Sequence, residues 1–264
     1  MEQITSVKNQ KIKDYISLVS SSKNRKEQGL FVLEGLRLVM DVLRSGMSIN
    51  ELYFTKVLYD NNKEDIDKLI SVAKTCFEIN DSVALKMSDT KNPQGIFAVV
   101  ASSATDKEIE KDGKYILLEN VQDPANLGAI SRTAEALGIT GLIVSGGCDV
   151  YNTKALRASM GALLRLPVIE VKDVAETIKA AQEQGMKTYA STPNANAVSI
   201  TDADFSGGVI TVIGNEANGV TQSTMENCKD SITIKMTGRA ESLNAGAAAS
   251  IIMWEMVKPI YDKS

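Results

Sequence analysis

The chain contains no histidine. That absence removes the commonest general base, the usual nucleophile-base triads and most zinc sites at one stroke. Any catalysis here runs without imidazole, and no metal site is expected. Cysteine is scarce as well: Cys76, Cys148 and Cys228 are odd in number, far apart and without metal spacing, which reads as free thiols in a reducing compartment. No apolar run approaches the roughly 20 residues that a membrane span needs. The start, Met1-Glu-Gln-Ile-Thr-Ser-Val-Lys8, lacks a signal-peptide hydrophobic region, so a soluble cytoplasmic protein is expected. A basic surplus is missing too, since the net charge is −4, whereas a nucleic-acid-binding domain is usually basic as a whole.

What is present describes a globular chain. At 264 residues, 44% hydrophobic and 23% charged, it has room for two domains with proper cores. The small, charged stretch 101–113 reads as the linker between them. Before it, Leu36, Val39, Met40 and Leu43 predict an amphipathic helix, Glu51–Thr55 a strand, Ile66, Leu69, Ile70 and Ala73 a second helix, Ser82–Lys86 a short third, and Gly95–Val100 a strand. This is a small alternating α/β domain. Charge is unevenly spread in it: residues 1–37 hold seven basic residues against four acidic ones. Lys8, Lys11, Arg25, Lys26 and Arg37 are therefore the candidate phosphate contacts of an otherwise acidic protein.

After the linker, strands near 115–119, 141–145, 167–171, 187–190, 209–213 and 231–234 alternate with helices near 126–137, 153–164, 173–185, 218–227 and 241–258. Such alternation predicts a parallel sheet covered on both faces, and periodicity alone draws an open Rossmann-like sheet. The Gly146-Gly147 pair lacks the spacing of a dinucleotide fingerprint, which counts against a nucleotide-dependent oxidoreductase.

Three segments carry the chemistry. In the first, the apolar run Tyr115–Glu119 exits through a turn at Asp123-Pro124 into a helix marked by Leu127, Ile130, Ala134 and Leu137. Asn126 is placed to cap that helix and Gly138 to end it, and Arg132 points off its apolar stripe. A guanidinium there could reach a phosphate or a carboxylate. The second segment is the strand Val209–Ile213 running into Gly214-Asn215-Glu216-Ala-Asn218-Gly219. The third runs from Ile232 through Ile234, Met236, Gly238, Glu241, Ser242, Leu243 and Asn244 into a helix of small residues.

At these residues the chain resembles the SpoU family, also called the TrmH family, of S-adenosylmethionine-dependent RNA ribose 2′-O-methyltransferases. It has Asn126, Gly128 and Arg132 of the first family motif, Gly214, Glu216 and Gly219 of the second, and Met236, Gly238, Ser242, Leu243 and Asn244 of the third. It departs at Lys235, where the family usually has proline, and at Ala245-Gly246-Ala247, where Val-Ser-Val is common. The resemblance implies a SPOUT-type fold over residues 112–264, a parallel sheet whose C-terminal segment is threaded as a trefoil knot, acting as a homodimer. For residues 1–105, where Phe31–Gly35 resembles the opening of the family's accessory domain, it implies an RNA-binding domain similar to ribosomal protein L30e.

The resemblance also implies a site. S-adenosylmethionine would lie against backbone groups of Gly214, Ile234 and Leu243, with Asn215, Met236 and Thr192 as further candidates. Glycine at 214 would let the backbone approach the ligand. Arg132 would stabilise the developing alkoxide or clamp a phosphate, since a guanidinium is a poor proton acceptor. Glu216 would orient Arg132, Asn126 would bond near the ribose, and Ser242 and Asn244 would complete the substrate side. Asn152, Lys154, Arg157, Ser159 and Gly161 resemble a family loop near the substrate. Ribosomal RNA is favoured over transfer RNA by the accessory domain. The rival reading is a noncatalytic RNA-binding or ribosome-assembly protein on the same fold.

Overall fold

The computed structural model describes residues 2–102, 107–194 and 196–261. Of the expected linker, residues 103–106 lie outside the described residues. Contacts divide the chain into two compact units, residues 1–104 together with 151–165, and residues 105–150 together with 166–264.

The first unit runs β1 (Glu2–Ile4), α1 (Gln10–Ser20), α2 (Ser22–Gln28), β2 (Leu30–Glu34), α3 (Leu36–Ser45), β3 (Ile49–Thr55), α4 (Lys56–Asn61), α5 (Lys63–Val72), β4 (Thr75–Ile79), α6 (Asp81–Met87) and β5 (Ile96–Ala101). Its sheet is ordered β1-β4-β3-β5-β2, parallel through β1, β4 and β3 and antiparallel on both sides of β5. The predicted α/β character holds. The sequence reading treated residues 1–37 as a charged surface, yet Ile12, Tyr15 and Leu18 recur at helical spacing and are buried in α1, which Asn9 caps. Tyr15 meets Tyr53 and Phe97 edge-on at 6.1 and 5.8 Å, an arrangement the ring quadrupoles favour.

The basic residues of this stretch separate accordingly. Lys8, Lys26 and Arg37 are exposed. Lys11 is half-buried, with its ammonium 2.6 Å from Glu51 and over the Phe77 ring. Arg25 corrects the expectation: it is buried at 5% exposure and donates to the carbonyl oxygens of Leu18 and Val19, at 2.5 and 3.1 Å. Those carbonyls lie in the last turn of α1, where the helix itself supplies no donors, so the guanidinium closes the helix and is not offered to a phosphate.

The second unit begins with β6 (Lys114–Glu119), α7 (Pro124–Ala136) and β7 (Gly141–Ser145). The chain then leaves it for α8 (Thr153–Ala158) and α9 (Ala162–Arg165), which belong to the first unit. It returns with β8 (Val168–Glu170), α10 (Val174–Glu183), β9 (Lys187–Ser191), β10 (Val198–Ser199), β11 (Val209–Ile213), α11 (Gln222–Asn227), β12 (Asp230–Thr233) and α12 (Ala245–Tyr261). All paired strands are parallel, in the order β10-β12-β9-β11-β6-β7-β8. Their runs of Ile, Leu and Val are buried on both faces, as a helix-covered parallel sheet requires.

The excursion from 151 to 165 differs from the reading that placed it within one catalytic domain as a single helix. Tyr151 stacks on Phe31 with ring centroids 4.3 Å apart. Thr153 and Arg157 both donate to the Asp89 carboxylate, at 3.0 and 2.8 Å, and Arg165 pairs with the buried Asp41 at 2.8 Å. Between α8 and α9 the backbone turns left-handed at Met160 (φ 52°) and Gly161 (φ 84°). A Cβ at 161 would collide with the Asp41 carboxylate, so the pairing that holds the segment also demands glycine there.

Replacing Arg25 with methionine is expected to destabilise the protein by about 1–3 kcal/mol, because two carbonyls lose their donor. Urea denaturation measures the loss, and an unchanged midpoint would return Arg25 to the exposed basic surface.

Candidate active site

Strand β6 ends in Glu119, and the next residue, Asn120, adopts a left-handed conformation (φ 57°) that turns the chain toward α7. Asp123 caps that helix by accepting from Ala125 N at 2.9 Å, with Pro124 in its first turn. Asn126, expected as the cap, lies three residues past it, in the first turn of the helix, and is buried. Its Nδ2 donates to Glu216 Oε1 at 2.9 Å, and its Oδ1 accepts from Asn244 Nδ2 at 2.9 Å. Asn244 Oδ1 accepts in turn from Gly246 N and Ala247 N at the start of α12. A carboxylate can only accept and a backbone N–H can only donate, so the two ends of this chain fix the orientation of both amides between them.

Glu216 accepts from three N–H groups: Gln122 N at 3.0 Å, Asp123 N at 3.0 Å and Asn126 Nδ2 at 2.9 Å. Burial pushes its pKa up, but the donors outweigh that and hold it below the ordinary carboxylate value. The expectation that Glu216 orients Arg132 is therefore corrected: its oxygens go to the N-terminus of α7, where the helix dipole and free N–H groups favour an anion. Arg132 is exposed on the same helix and makes no hydrogen bond or ion pair among the described residues.

A second carboxylate runs the other way and was missed by the sequence reading. Glu119 is buried at 9% exposure and accepts from Thr221 N (2.9 Å), Thr221 Oγ1 (2.8 Å) and Thr224 Oγ1 (2.6 Å), where α11 begins. The segment 119–123 thus gives a carboxylate to the 216–224 segment and receives one from it. Asn215 adds a bond from its Nδ2 to Asn120 O at 2.9 Å. An acidic residue closing an otherwise apolar strand was the available signal.

Beyond the C-terminal ends of β9, β11 and β12 opens a cavity of about 700 Å³. Thr192, Gly214, Asn215, Ile234, Met236 and Leu243, the six residues expected at the donor, all line it, together with Glu216, Ser242 and Asn244. Asn126 and Arg132 are not among its lining residues. At Gly214 the reason for glycine is different from the one expected: a Cβ would collide with the main chain of Gly219 and Val220, which closes a turn by pairing with Asn215. The missing side chain lets two backbone segments approach, and this forms the wall of the cavity. The run 152–161 takes no part in it. Asn152 caps α8, Ser159 is buried and donates to Leu156 O, and Arg157 pairs with Asp89, all within the first unit.

The lining also limits what the cavity can hold. Ile213, Val220, Ile232 and Ile252 supply apolar surface, while the ionisable lining residues are two carboxylates, Glu216 and Glu241, with no lysine or arginine among the described residues. A pyrophosphate-bearing dinucleotide would meet negative charge without a cation to answer it. A ligand with an apolar body and net positive charge, such as S-adenosylmethionine, fits both features.

Residues 113–254 match the SpoU rRNA Methylase family, and residues 9–98 the MRM3-like substrate binding domain. An uncharacterized tRNA/rRNA methyltransferase of Synechocystis is 30% identical, the match covering 96% of this chain and 92% of that protein. The 23S rRNA (guanosine(2553)-2′-O)-methyltransferase of Bacillus subtilis is 29% identical over 97% of this chain and 99% of its own length. The AdoMet-bound crystal structure of an rRNA methyltransferase from Sinorhizobium meliloti superposes with a TM-score of 0.87 at 28% identity, covering 98% of each chain.

Because the folded pKa of Glu216 is lowered, its contribution to stability is complete above the ordinary value of 4.5 and fades as pH falls through the lower folded value. Glu216→Gln is expected to cost about 1 kcal/mol at neutral pH, part of the carboxylate being solvent-screened, and the gap from wild type should close below pH 4.5. Urea titrations across pH read this directly, and a pH-independent gap would contradict it.

Proposed function

The chain belongs to the SpoU rRNA methylase family, and on that premise we propose that it transfers a methyl group from S-adenosylmethionine to a ribose 2′-hydroxyl of ribosomal RNA. The observation that carries this reading is the convergence of Thr192, Gly214, Asn215, Ile234, Met236 and Leu243 on one cavity whose lining has no cationic side chain among the described residues. The B. subtilis relative, named as a 23S rRNA 2′-O-methyltransferase and matched over nearly its whole length, supports ribosomal RNA as the substrate class.

When bound, S-adenosylmethionine supplies a methyl group already activated on a sulfonium, so the protein has to position, exclude water and assist loss of the hydroxyl proton. The Glu216–Asn126–Asn244 chain holds the starts of α7 and α12 beside the cavity wall. Arg132, on α7 and without an internal partner among the described residues, stabilises the alkoxide that develops on the ribose or clamps its phosphate. Ser242, exposed on the rim with Asn244, completes the substrate side.

Residues 1–105 serve in this reading as an L30e-like RNA-binding domain, with Lys8, Lys26 and Arg37 as exposed phosphate contacts; the MRM3-like match over 9–98 supports it. Residues 112–150 and 166–261 form the catalytic domain with a trefoil-knotted C-terminal segment. Supporting the knot are the insertion of β11 between β6 and β9, both earlier in the chain, and the packing of α12 back onto α7. The protein acts in the cytoplasm, where such RNA resides; among the described residues no helix is long and apolar enough to cross a membrane. It works as a homodimer through the catalytic domain, supported by Ile251 and Trp254 of α12, which are 40% and 45% exposed.

Arg132→Ala is expected to lower single-turnover methyl transfer by more than tenfold, above about 1.4 kcal/mol in barrier, and to leave donor affinity nearly intact. Retention of a tenth or more of the wild-type rate would remove Arg132 from the reaction. Sedimentation equilibrium at micromolar concentration is expected to give a dimer of the 28.5 kDa chain, and Trp254→Glu to shift it toward monomer. A monomeric wild type would exclude any site assembled from two chains.

A further inference from the structure

Two carboxylates line the cavity, and they are not equivalent. Glu216 is committed to three N–H donors from the start of α7, which leaves its oxygens little capacity for a ligand. Glu241 lies in the loop between β12 and α12, three residues before the cap Asn244; it is exposed and makes no hydrogen bond or ion pair among the described residues. The other described lining residues are uncharged. An unpaired charge on the wall of a binding cavity acts on whatever charge the ligand brings, and most strongly where apolar walls displace water.

Resting on the donor assignment above, we propose that Glu241 is the residue by which this cavity distinguishes the charged methyl donor from its neutral product. In the transfer the bond from methyl carbon to sulfur breaks with its electron pair left on sulfur, a carbon–oxygen bond forms at the ribose, and the hydroxyl proton passes to solvent. The ligand in the cavity thereby changes from a net cation to a zwitterion without net charge. Glu241 attracts the first and is indifferent to the second, so the reaction itself removes the interaction that held the donor. Apolar contacts from Ile213, Val220 and Ile232 and backbone contacts are common to both ligands and give no such discrimination. Glu241 is a specificity residue of the site and is separate from Arg132, which faces the acceptor.

Calorimetric titration of the full chain with S-adenosylmethionine and, separately, S-adenosylhomocysteine tests this at low and high sodium chloride. Glu241→Gln is expected to weaken S-adenosylmethionine about fivefold, the effect of one partly screened charge pair, and S-adenosylhomocysteine less than about twofold. Glu241→Lys should weaken the cationic donor further and the product little. The preference for the donor should shrink with salt in wild type and be less sensitive to salt in Glu241→Gln, where Glu216 is the carboxylate left in the lining. Equal weakening of both ligands, or none, overturns the assignment while leaving the methyltransferase reading in place. A wild-type chain that binds neither ligand overturns the donor assignment itself.

Discussion

The Asn126 side chain is an amide with one end that only donates and one that only accepts, and both are committed, to Glu216 and to Asn244. Through it the loop after β11, the first turn of α7 and the first turn of α12 are held in one register. The amide is buried, so losing either partner would leave a desolvated polar group unpaired, a cost of about 1–3 kcal/mol. The same carboxylate that orients Asn126 also holds Gln122 and Asp123, the residues that lead into α7. The approach to α7 and the placement of the Asn126 side chain are therefore set by one group.

The exchange between Glu119 and Glu216 makes this arrangement two-sided. Each carboxylate serves the helix that begins in the other's segment: Glu119 holds Thr221 at the start of α11, and Glu216 holds Gln122 and Asp123 at the start of α7. The parallel sheet supplies the scaffold for it, since neighbouring β6 and β11 deliver both segments to the same edge. Ligand sites on such sheets lie beyond the carboxyl ends of the strands, and the cavity here follows that rule. Its walls combine backbone turns at Gly214 and Gly219 with apolar side chains such as Ile213, Val220, Ile232 and Ile252. The chemistry is left to groups that need no imidazole.

Much of this was legible in the chain. The β-branched and leucine-rich runs of β6, β7 and β11 announce buried parallel strands, and five residues of the motif segments, with Thr192 after β9, converge on one cavity. Partner choice was not legible. Glu216 stands three residues after a strand, and nothing local says whether its oxygens turn to a guanidinium or to the N–H groups at the start of a helix that begins 92 residues earlier at Pro124. Arg25 shows the same limit: its charge reads as surface, while the carbonyls it satisfies belong to a preceding helix that the charge pattern hid. The break between α8 and α9 follows from a contact of Gly161 with Asp41, 120 residues away in sequence. Periodicity sees neighbours within a turn or two; these features are decided by residues far along the chain.

The excursion from 151 to 165 carries a consequence for how the protein is made. The first unit is nominally amino-terminal, but Phe31, Asp41 and Asp89 find Tyr151, Arg165 and Arg157 only after the ribosome has passed residue 165. At about 5–20 residues per second, the 60-odd residues after the last strand of that unit delay its completion by several seconds. By then β6, α7 and β7 of the second unit have already emerged. During that interval Asp41 has only the exposed Arg44 of its own helix, 3.5 Å away, and lacks Arg165, so the nascent first unit is held below its final stability while strands of the second unit are being synthesised.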